Sequence, residues 1–165
     1  MIRLSFVTPE LARWDQTQAD AIAVGIFADQ RPLRGPAGLL DWRLCGRLSR
    51  LIRSGRLRGE YGEALLMPAK GRLPFGKVLL IGMGAQSEFG EERYRDAVRR
   101  MQHKLLAMGA RRYLLAPPGR ETGRVGPRRA LELLVEESRG LDAEVVVIES
   151  VAGQKEMAEM LRPRR

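Results

Sequence analysis

The sequence is short of cysteine and histidine. Its 165 residues include one cysteine, Cys45, and one histidine, His103. A single cysteine cannot form an internal disulfide, and the two residues together are too few for a His/Cys zinc site within the chain. We expect no metal, no cofactor and no catalytic residue. Cys45, at the edge of an apolar helix stripe, is expected to be buried and inert, and His103, on the polar side of its helix, to be solvated.

Long apolar runs are also missing from the sequence. No run approaches the roughly 20 residues that cross a bilayer. Residues 1–5 lead straight into strand-like sequence, without the apolar segment and small-residue cleavage site of a secretory signal. These absences predict a cytoplasmic protein with no membrane partner. The length of 165 residues predicts a single domain over residues 1–165.

Acidic residues and lysine are scarce relative to arginine. The chain has 29 basic and 20 acidic residues, a net charge of +9, and only four of the basic residues are lysine. Arginine is well suited to binding phosphate and carboxylate groups. The aromatic content is 5%, which gives little support to a surface that stacks bases.

Hydrophobic periodicity predicts alternating strands and helices. Strands are expected at residues 2–7, 19–27, 63–67, 77–81, 112–116 and 143–149, and helices at residues 36–54, 91–108, 128–139 and 153–161. This order predicts a single three-layer α/β/α domain with a mixed, mostly parallel sheet. The third and fourth strands are joined by a short connection, so that pair could be antiparallel.

The helix predicted over residues 36–54 has two different sides. Leu40, Leu44 and Leu48 form part of an apolar stripe. The opposite side carries four arginines, with Trp42 beside them: Arg43, Arg47, Arg50 and Arg53. This side is a candidate face for a protein partner or for weak nucleic-acid binding, and the alternative is a solvated basic surface.

Several segments together resemble the N-terminal domain of the leucyl aminopeptidase (cytosol aminopeptidase) family. They are ADAIAVGIF, GLLDWRLCGRLSRLIRSG, RGEYGE and, most strongly, GKVLLIGMG followed by RYRDAVRRMQHKLLAMGARR. The resemblance covers about residues 15–150 and depends on the order and spacing of these segments. It implies a macrodomain-like fold. The Asn-Thr-Asp-Ala-Glu-Gly-Arg motif of the family's two-metal catalytic domain does not occur in the sequence, so no catalytic or metal-binding residue is carried over.

Two glycine-containing segments could hold an anion. Arg34, Gly35 and Gly38 precede or begin the first long helix, where free backbone N–H groups are available, at a place comparable to the phosphate loop of macrodomains. The Asn-x-Ala-Asn element of macrodomains is missing ahead of it. A second turn, at residues 82–84, lacks the third glycine of a dinucleotide fingerprint. Asp20, at the start of its strand, is a possible ligand contact, and the alternative for all these positions is a purely structural role.

The resemblance without a catalytic motif predicts a stand-alone, non-catalytic domain that acts as a protein-interaction or regulatory module. Its partner would be another protein or a second copy of itself. Two alternatives remain open. One is a nucleic-acid-binding protein that uses the arginine-rich face, and the other is a degenerate macrodomain that binds a nucleotide or an ADP-ribose-like ligand.

Overall fold

The computed structural model describes residues 1–164 and places a six-stranded sheet between two layers of helices. The strands are β1 (Ile2–Val7), β2 (Ala21–Phe27), β3 (Ala64–Pro68), β4 (Lys77–Gly84), β5 (Arg112–Leu115) and β6 (Ala143–Ile148). The helices are α1 (Leu11–Trp14), α2 (Gly35–Arg43), α3 (Arg47–Arg53), α4 (Glu91–Ala107), α5 (Pro127–Glu137) and α6 (Val151–Leu161). Arg165, the last residue of the sequence, lies outside the described residues.

The strand order is β1-β6-β5-β2-β4-β3. Every neighbouring pair is parallel except β3 and β4, which are antiparallel with Leu66 opposite Leu79. The predicted mixed, mostly parallel sheet is confirmed, and so is the antiparallel pairing of the third and fourth strands. The carboxyl ends of the five parallel strands therefore share one edge of the sheet.

Burial separates the central strands from those at the margins. β2 and β4 are apolar along almost their whole length and buried on both faces, as expected of central strands covered by helices on both sides. β1 and β3 are only partly buried and lie at the two margins of the sheet.

Each face of the sheet has its own core. On one face α4, α5 and α6 contribute Met101, Leu134 and Met157. On the other face α1, α2 and α3 contribute Trp14, Leu40 and Leu48. We call these helix groups the α4–α6 layer and the α1–α3 layer.

The prediction of one helix over residues 36–54 is wrong, because α2 ends at Arg43 and α3 begins at Arg47. Cys45 and Gly46 between them have φ angles of 57° and 79°, which no α-helix contains. The break turns Cys45 outward, so its predicted burial is also wrong: the thiol is exposed. Asp41 stabilises the break, since its carboxylate accepts hydrogen bonds from the backbone N–H and the hydroxyl of Ser49.

Two further sequence predictions need correction. Trp14, which lies outside every predicted strand and helix, is in α1 and is buried, with its indole N–H donating to the carbonyl of Thr8 at 3.0 Å. Gly82, Met83 and Gly84 do not form a turn, because β4 runs to Gly84 and all three are buried. A dinucleotide-type cradle at residues 82–84 is therefore not present. Among residues 1–164, no helix is long and apolar enough to cross a membrane.

Candidate functional site

The loop that follows β2 leads into the first turn of α2, at the carboxyl edge of the sheet. Arg34 is the N-cap residue, Gly35 has a φ angle of 58°, and Pro36 occupies the first turn. A cavity of about 20 Å³ adjoins this loop and is lined in part by Gly25, Arg34 and Ala37. Ligand pockets usually measure roughly 300–1,000 Å³, so this cavity is too small to hold a nucleotide.

A wider cleft of about 330 Å³ lies beside the loop, between the amino ends of α2 and α6. Its charged residues are Arg120, Glu121 and Glu149. Arg120 donates two hydrogen bonds to the carboxylate of Glu149, at 2.7 and 3.1 Å. The N–H and hydroxyl of Ser150 also donate to Glu149. Two of the three charged residues in the cleft, Arg120 and Glu149, are therefore already paired with each other.

Asp20 lies at the amino end of β2, at the opposite end of the strand from Arg34. Its carboxylate accepts hydrogen bonds from the backbone N–H groups of Arg111 at 2.8 Å and Arg112 at 3.0 Å. These bonds, the one from Arg111 first, hold the pKa of Asp20 below its ordinary value. The carboxylate joins the start of β2 to the start of β5 and does not share a site with the Arg34 loop.

A groove with a positively charged lining lies alongside α3. It has a volume of about 460 Å³ and is lined by Arg47, Arg50, Leu51, Ser54, Arg56 and Lys70. We call it the basic groove. Arg50 donates to the carbonyl of Cys45 at 2.7 Å. Within residues 1–164, none of the four cations of the groove forms an ion pair with a carboxylate.

The structure separates the predicted arginine side into different environments. Arg43 turns away and pairs with Asp15, and its side chain is only 22% exposed. That hydrogen bond lowers the pKa of Asp15 and raises the pKa of Arg43. The prediction that Arg43 shares the solvent-facing side is therefore wrong. Arg53 is exposed but does not line the groove, and Trp42 on α2 is 74% exposed.

The arginines of the α4–α6 layer are arranged differently. Arg95 pairs with Glu136 at 2.7 Å, and Arg129 pairs with Glu91 at 2.8 Å. Hydrogen bonds from these arginines hold the pKa values of Glu136 and Glu91 below their ordinary range. Arginine in this layer is neutralised by neighbouring carboxylates, whereas arginine around α3 is not.

Cys45 and His103, the two residues expected to have no chemical role, lie in different helix layers. His103 is exposed on α4. No group of three or more His, Cys, Asp or Glu residues that could hold a metal ion occurs in the described part of the chain.

The model of the N-terminal domain of the cytosol aminopeptidase family matches residues 23–140. The chain belongs to the cytosol aminopeptidase family. The matched domain contains the Arg34 loop, α2, α3 and the basic groove.

Curated relatives match this N-terminal domain over a small part of their own length. A probable cytosol aminopeptidase of Burkholderia multivorans is 36% identical over 90 residues, which are 54% of this chain and 18% of that protein. A probable cytosol aminopeptidase of Alkaliphilus oremlandii is 28% identical over 108 residues, which are 66% of this chain and 22% of that protein. The chain thus spans about a fifth of the length of these relatives.

Solved structures confirm the macrodomain-like fold. A tomato leucine aminopeptidase superimposes with a TM-score of 0.64 at 16% identity, covering 97% of this chain and 35% of that one. A Trypanosoma brucei macrodomain in complex with ADP-ribose gives 0.74 at 18% identity, covering 98% and 69%. An Oceanobacillus iheyensis macrodomain with ADP gives 0.71 at 11% identity, covering 96% and 89%. At these identities the likeness shows the fold of the N-terminal domain and nothing about its ligand.

Sequence reasoning did not single out Lys70 as a residue of the groove. Lys70 follows β3 and is not on the helix that carries Arg47 and Arg50. The distribution of charge along the sequence already indicates unpaired cations in this segment, because residues 42–87 contain nine lysines and arginines and only two carboxylates. A stretch with so few acids cannot neutralise its own cations locally.

Proposed function

We propose that this chain is a non-catalytic binding domain that recognises an anionic segment of a partner protein in the basic groove. The observation that carries the proposal is the absence of carboxylate partners for Arg47, Arg50, Arg56 and Lys70 among residues 1–164. On this proposal the domain acts in the cytoplasm. Because it binds its partner without catalysing a reaction, its role there is a regulatory one.

The chemistry of the groove fits an acidic polypeptide that also carries apolar side chains. Arginine presents planar pairs of donors that match carboxylates. Leu51 is half-buried between the cations and offers an apolar contact. Trp42 is exposed on the preceding helix and does not line the groove, and its amphipathic side chain is of a type enriched in protein interfaces.

Nucleic acid is the second candidate for the same groove. Four unpaired cations would attract a phosphate backbone by release of its counterions. The low aromatic content of 5% favours a protein partner over single-stranded nucleic acid. We therefore expect nucleic acid to bind more weakly than an acidic peptide and to lose affinity steeply with salt.

A nucleotide or an ADP-ribose-like ligand is the third candidate. It is favoured by the macrodomains whose structures contain ADP or ADP-ribose and by the cleft of about 330 Å³ beside Gly35 and Pro36. The small cavity next to Arg34 and the pairing of Arg120 with Glu149 weigh against it. We rank it below the basic groove for this reason.

Catalysis by this chain is not part of the proposal. The relatives named above are about five times longer than the segment they share with it, and among residues 1–164 there is no metal-binding group of His, Cys, Asp or Glu. We expect no hydrolysis of a leucine chromogenic amide in the presence of manganese or zinc. Metal-dependent turnover that disappears on mutating a residue of this chain would overturn this part.

The binding proposal is tested by fluorescence anisotropy with three labelled probes: a glutamate-rich peptide containing leucines, a single-stranded oligonucleotide and a duplex. The groove variant carries Arg47→Glu, Arg50→Glu and Arg56→Glu. The matched control carries Arg139→Glu, Lys155→Glu and Arg162→Glu, which are exposed residues outside the groove and change the net charge equally. We expect the peptide to bind the native chain and the control but not the groove variant.

Two results would contradict the proposal. Equal loss in both variants would show attraction to net charge and not to the groove. Tighter binding of the duplex than of the peptide, with a slope of log affinity against log salt of about −0.9 per phosphate neutralised, would place nucleic acid first.

A further inference from the structure

The margin of the sheet formed by β1 is open. β1 pairs with β6 on one side, and no strand of the described chain lies on its other side. The N–H of Glu149 donates to the carbonyl of Val7. Because the backbone groups of successive strand residues point to opposite sides, Val7 and every second residue before it face β6. The N–H and carbonyl groups of Ile2, Leu4 and Phe6 therefore point outward from the sheet.

The side chains of these three residues are also incompletely covered. Ile2, Leu4 and Phe6 are partly buried against the α4–α6 core. Natural edge strands are commonly protected from pairing by prolines or by charged side chains. β1 contains no proline, and its one charged residue, Arg3, is already paired with Glu144 at 3.1 Å. Little in this strand opposes the addition of another strand.

Helix α6 continues the same surface. Val151 and Gln154 line a groove of about 450 Å³ together with Phe6, Val7 and Thr8 at the end of β1, so this flank of α6 faces the open margin. Glu10 and Arg13, which follow β1, also line this groove. At helical spacing the flank continues to Ala158 and Leu161. Val151 is 62% exposed and Leu161 is 44% exposed.

The two flanks of α6 differ in charge. The flank toward β1 consists of Val151, Gln154, Ala158 and Leu161 and has no charged side chain. The exposed Lys155 lies beside Val151 on the solvent side of the helix, between the two flanks. The flank on the other side contains Glu156 and Glu159, both exposed. An exposed apolar flank contiguous with an open strand is typical of an interaction surface.

We propose that a second copy of this chain occupies this margin. The two β1 strands pair antiparallel about a two-fold axis at Leu4, so that Ile2 of one copy lies opposite Phe6 of the other. The uncharged flanks of the two α6 helices then face each other, with Val151 near the other copy's Leu161. The small side chain of Ala158 lies near the middle of this contact and permits close approach of the helices.

Charge and symmetry favour a second copy over another occupant. A chain with a net charge of +9 repels itself wherever unpaired cations would meet. At this margin Arg3 pairs with Glu144, which also pairs with Arg112, and Arg13 pairs with Glu10. The exposed Lys155 stays on the solvent side of α6, and the apolar residues are arranged evenly about Leu4. The surface is therefore its own complement under a two-fold rotation, as an isologous interface requires.

This inference does not rest on the basic groove. Lys70 of the groove follows β3, the strand at the opposite margin of the sheet. A dimer formed through β1 leaves both grooves accessible.

Sedimentation velocity from low to high micromolar concentration tests the proposal with the native chain and three variants. Ala158→Glu places a charge on the α6 flank. Leu4→Pro removes an outward N–H without removing a hydrogen bond to β6. Leu66→Glu is the matched control, because Leu66 is 46% exposed on β3 at the other margin. Circular dichroism verifies that each variant is folded, and Ala158→Glu decides the outcome if Leu4→Pro is not.

We expect the native chain and Leu66→Glu to dimerise with the same dissociation constant, and Ala158→Glu and Leu4→Pro to weaken the dimer at least about tenfold, or about 1.4 kcal/mol. A native chain that remains monomeric over the whole range overturns the proposal and leaves the margin to an extended segment of another protein. A dimer that persists in both Ala158→Glu and Leu4→Pro, or that Leu66→Glu disrupts, overturns it as well.

Discussion

The surface of the α4–α6 layer and the surroundings of α3 in the α1–α3 layer use arginine in opposite ways. In the α4–α6 layer Arg95 and Arg129 are paired with Glu136 and Glu91. In the α1–α3 layer Arg47 and Arg50 have no carboxylate partner within residues 1–164 and line a groove together. The total number of arginines is therefore a poor indicator of a binding surface. The number of carboxylates close enough to pair with them is a better one.

The contrast has a simple physical origin. An arginine beside a carboxylate presents little net charge to an approaching partner, because the two fields largely cancel outside the pair. Unpaired arginines around one concave surface add their fields, and a groove with low-dielectric walls concentrates them. The basic groove is therefore a better candidate for recognition than the more heavily charged surface of α4 and α5.

The largest expected effect tests whether the cores of the two helix layers are packed equally tightly. Leu48 of α3 and Leu134 of α5 are both fully buried. Replacing either by alanine should cost about 2–5 kcal/mol of the free energy of unfolding, because each leaves a cavity. Denaturant melts measure this. A much smaller loss for Leu48→Ala would mean that α3 is loosely packed, and the groove would not be a rigid surface.

A second comparison sets a paired arginine against an unpaired one. Arg120→Met should cost about 3 kcal/mol, because it leaves the buried carboxylate of Glu149 without its cation. Arg50→Met should change stability by less than about 0.5 kcal/mol, because Arg50 is exposed and forms no ion pair in the described chain. Thermal melts of the two variants decide the matter. Equal costs would remove the distinction between structural and available arginines.

Asp20 extends the comparison of paired and unpaired charges to a carboxylate that accepts hydrogen bonds from backbone N–H groups. Its pKa is lowered by the hydrogen bonds from Arg111 and Arg112, so its stabilising effect is present above the unfolded value of about 3.9 and is lost as pH falls through the lower folded value. Asp20→Ala should cost about 1 kcal/mol at neutral pH. Melts from neutral to strongly acidic pH should show the native chain and the variant converging. A constant difference at every pH would mean that the charge is not what matters.

The smallest effect concerns salt. Added salt screens the repulsion between unpaired cations and weakens exposed ion pairs. Arg50→Gln should change the melting temperature very little and reduce any stabilisation by salt, whereas Arg129→Gln should lower the melting temperature most at low salt. Calorimetry at several ionic strengths compares them. Identical salt responses in the two variants would contradict the assignment of the two layers.

Much of the fold was predictable because it depends on local patterns. The strands at residues 2–7, 77–81 and 143–149 and the long helix ending near Met108 follow directly from hydrophobic periodicity. The division of residues 36–54 into two helices was not found. It depends on a hydrogen bond from the backbone N–H of Ser49 to the carboxylate of Asp41 and on a positive φ angle at Cys45, which is not a glycine. Hydrophobic periodicity contains no information about either feature.

The candidate site was predictable only in part. Arg47 and Arg50 were identified because they share one side of a helix, which spacing alone reveals. Arg43 was misplaced because its partner, Asp15, is distant in sequence. Lys70 was missed for the same reason, since a loop brings it to α3. Roles for Arg34, Gly35, Gly38 and Asp20 in ligand binding stay predictions.

The excess of cations over carboxylates in the segment that contains α3 gives the whole molecule a directional electric field. Residues 42–87 contain nine cations and two carboxylates, out of 29 and 20 in the chain. An anionic partner that approaches from a distance experiences a torque before any contact forms, and it arrives with the groove already turned toward it. Removing these cations should therefore reduce the association rate constant and its dependence on ionic strength more than it raises the dissociation rate constant.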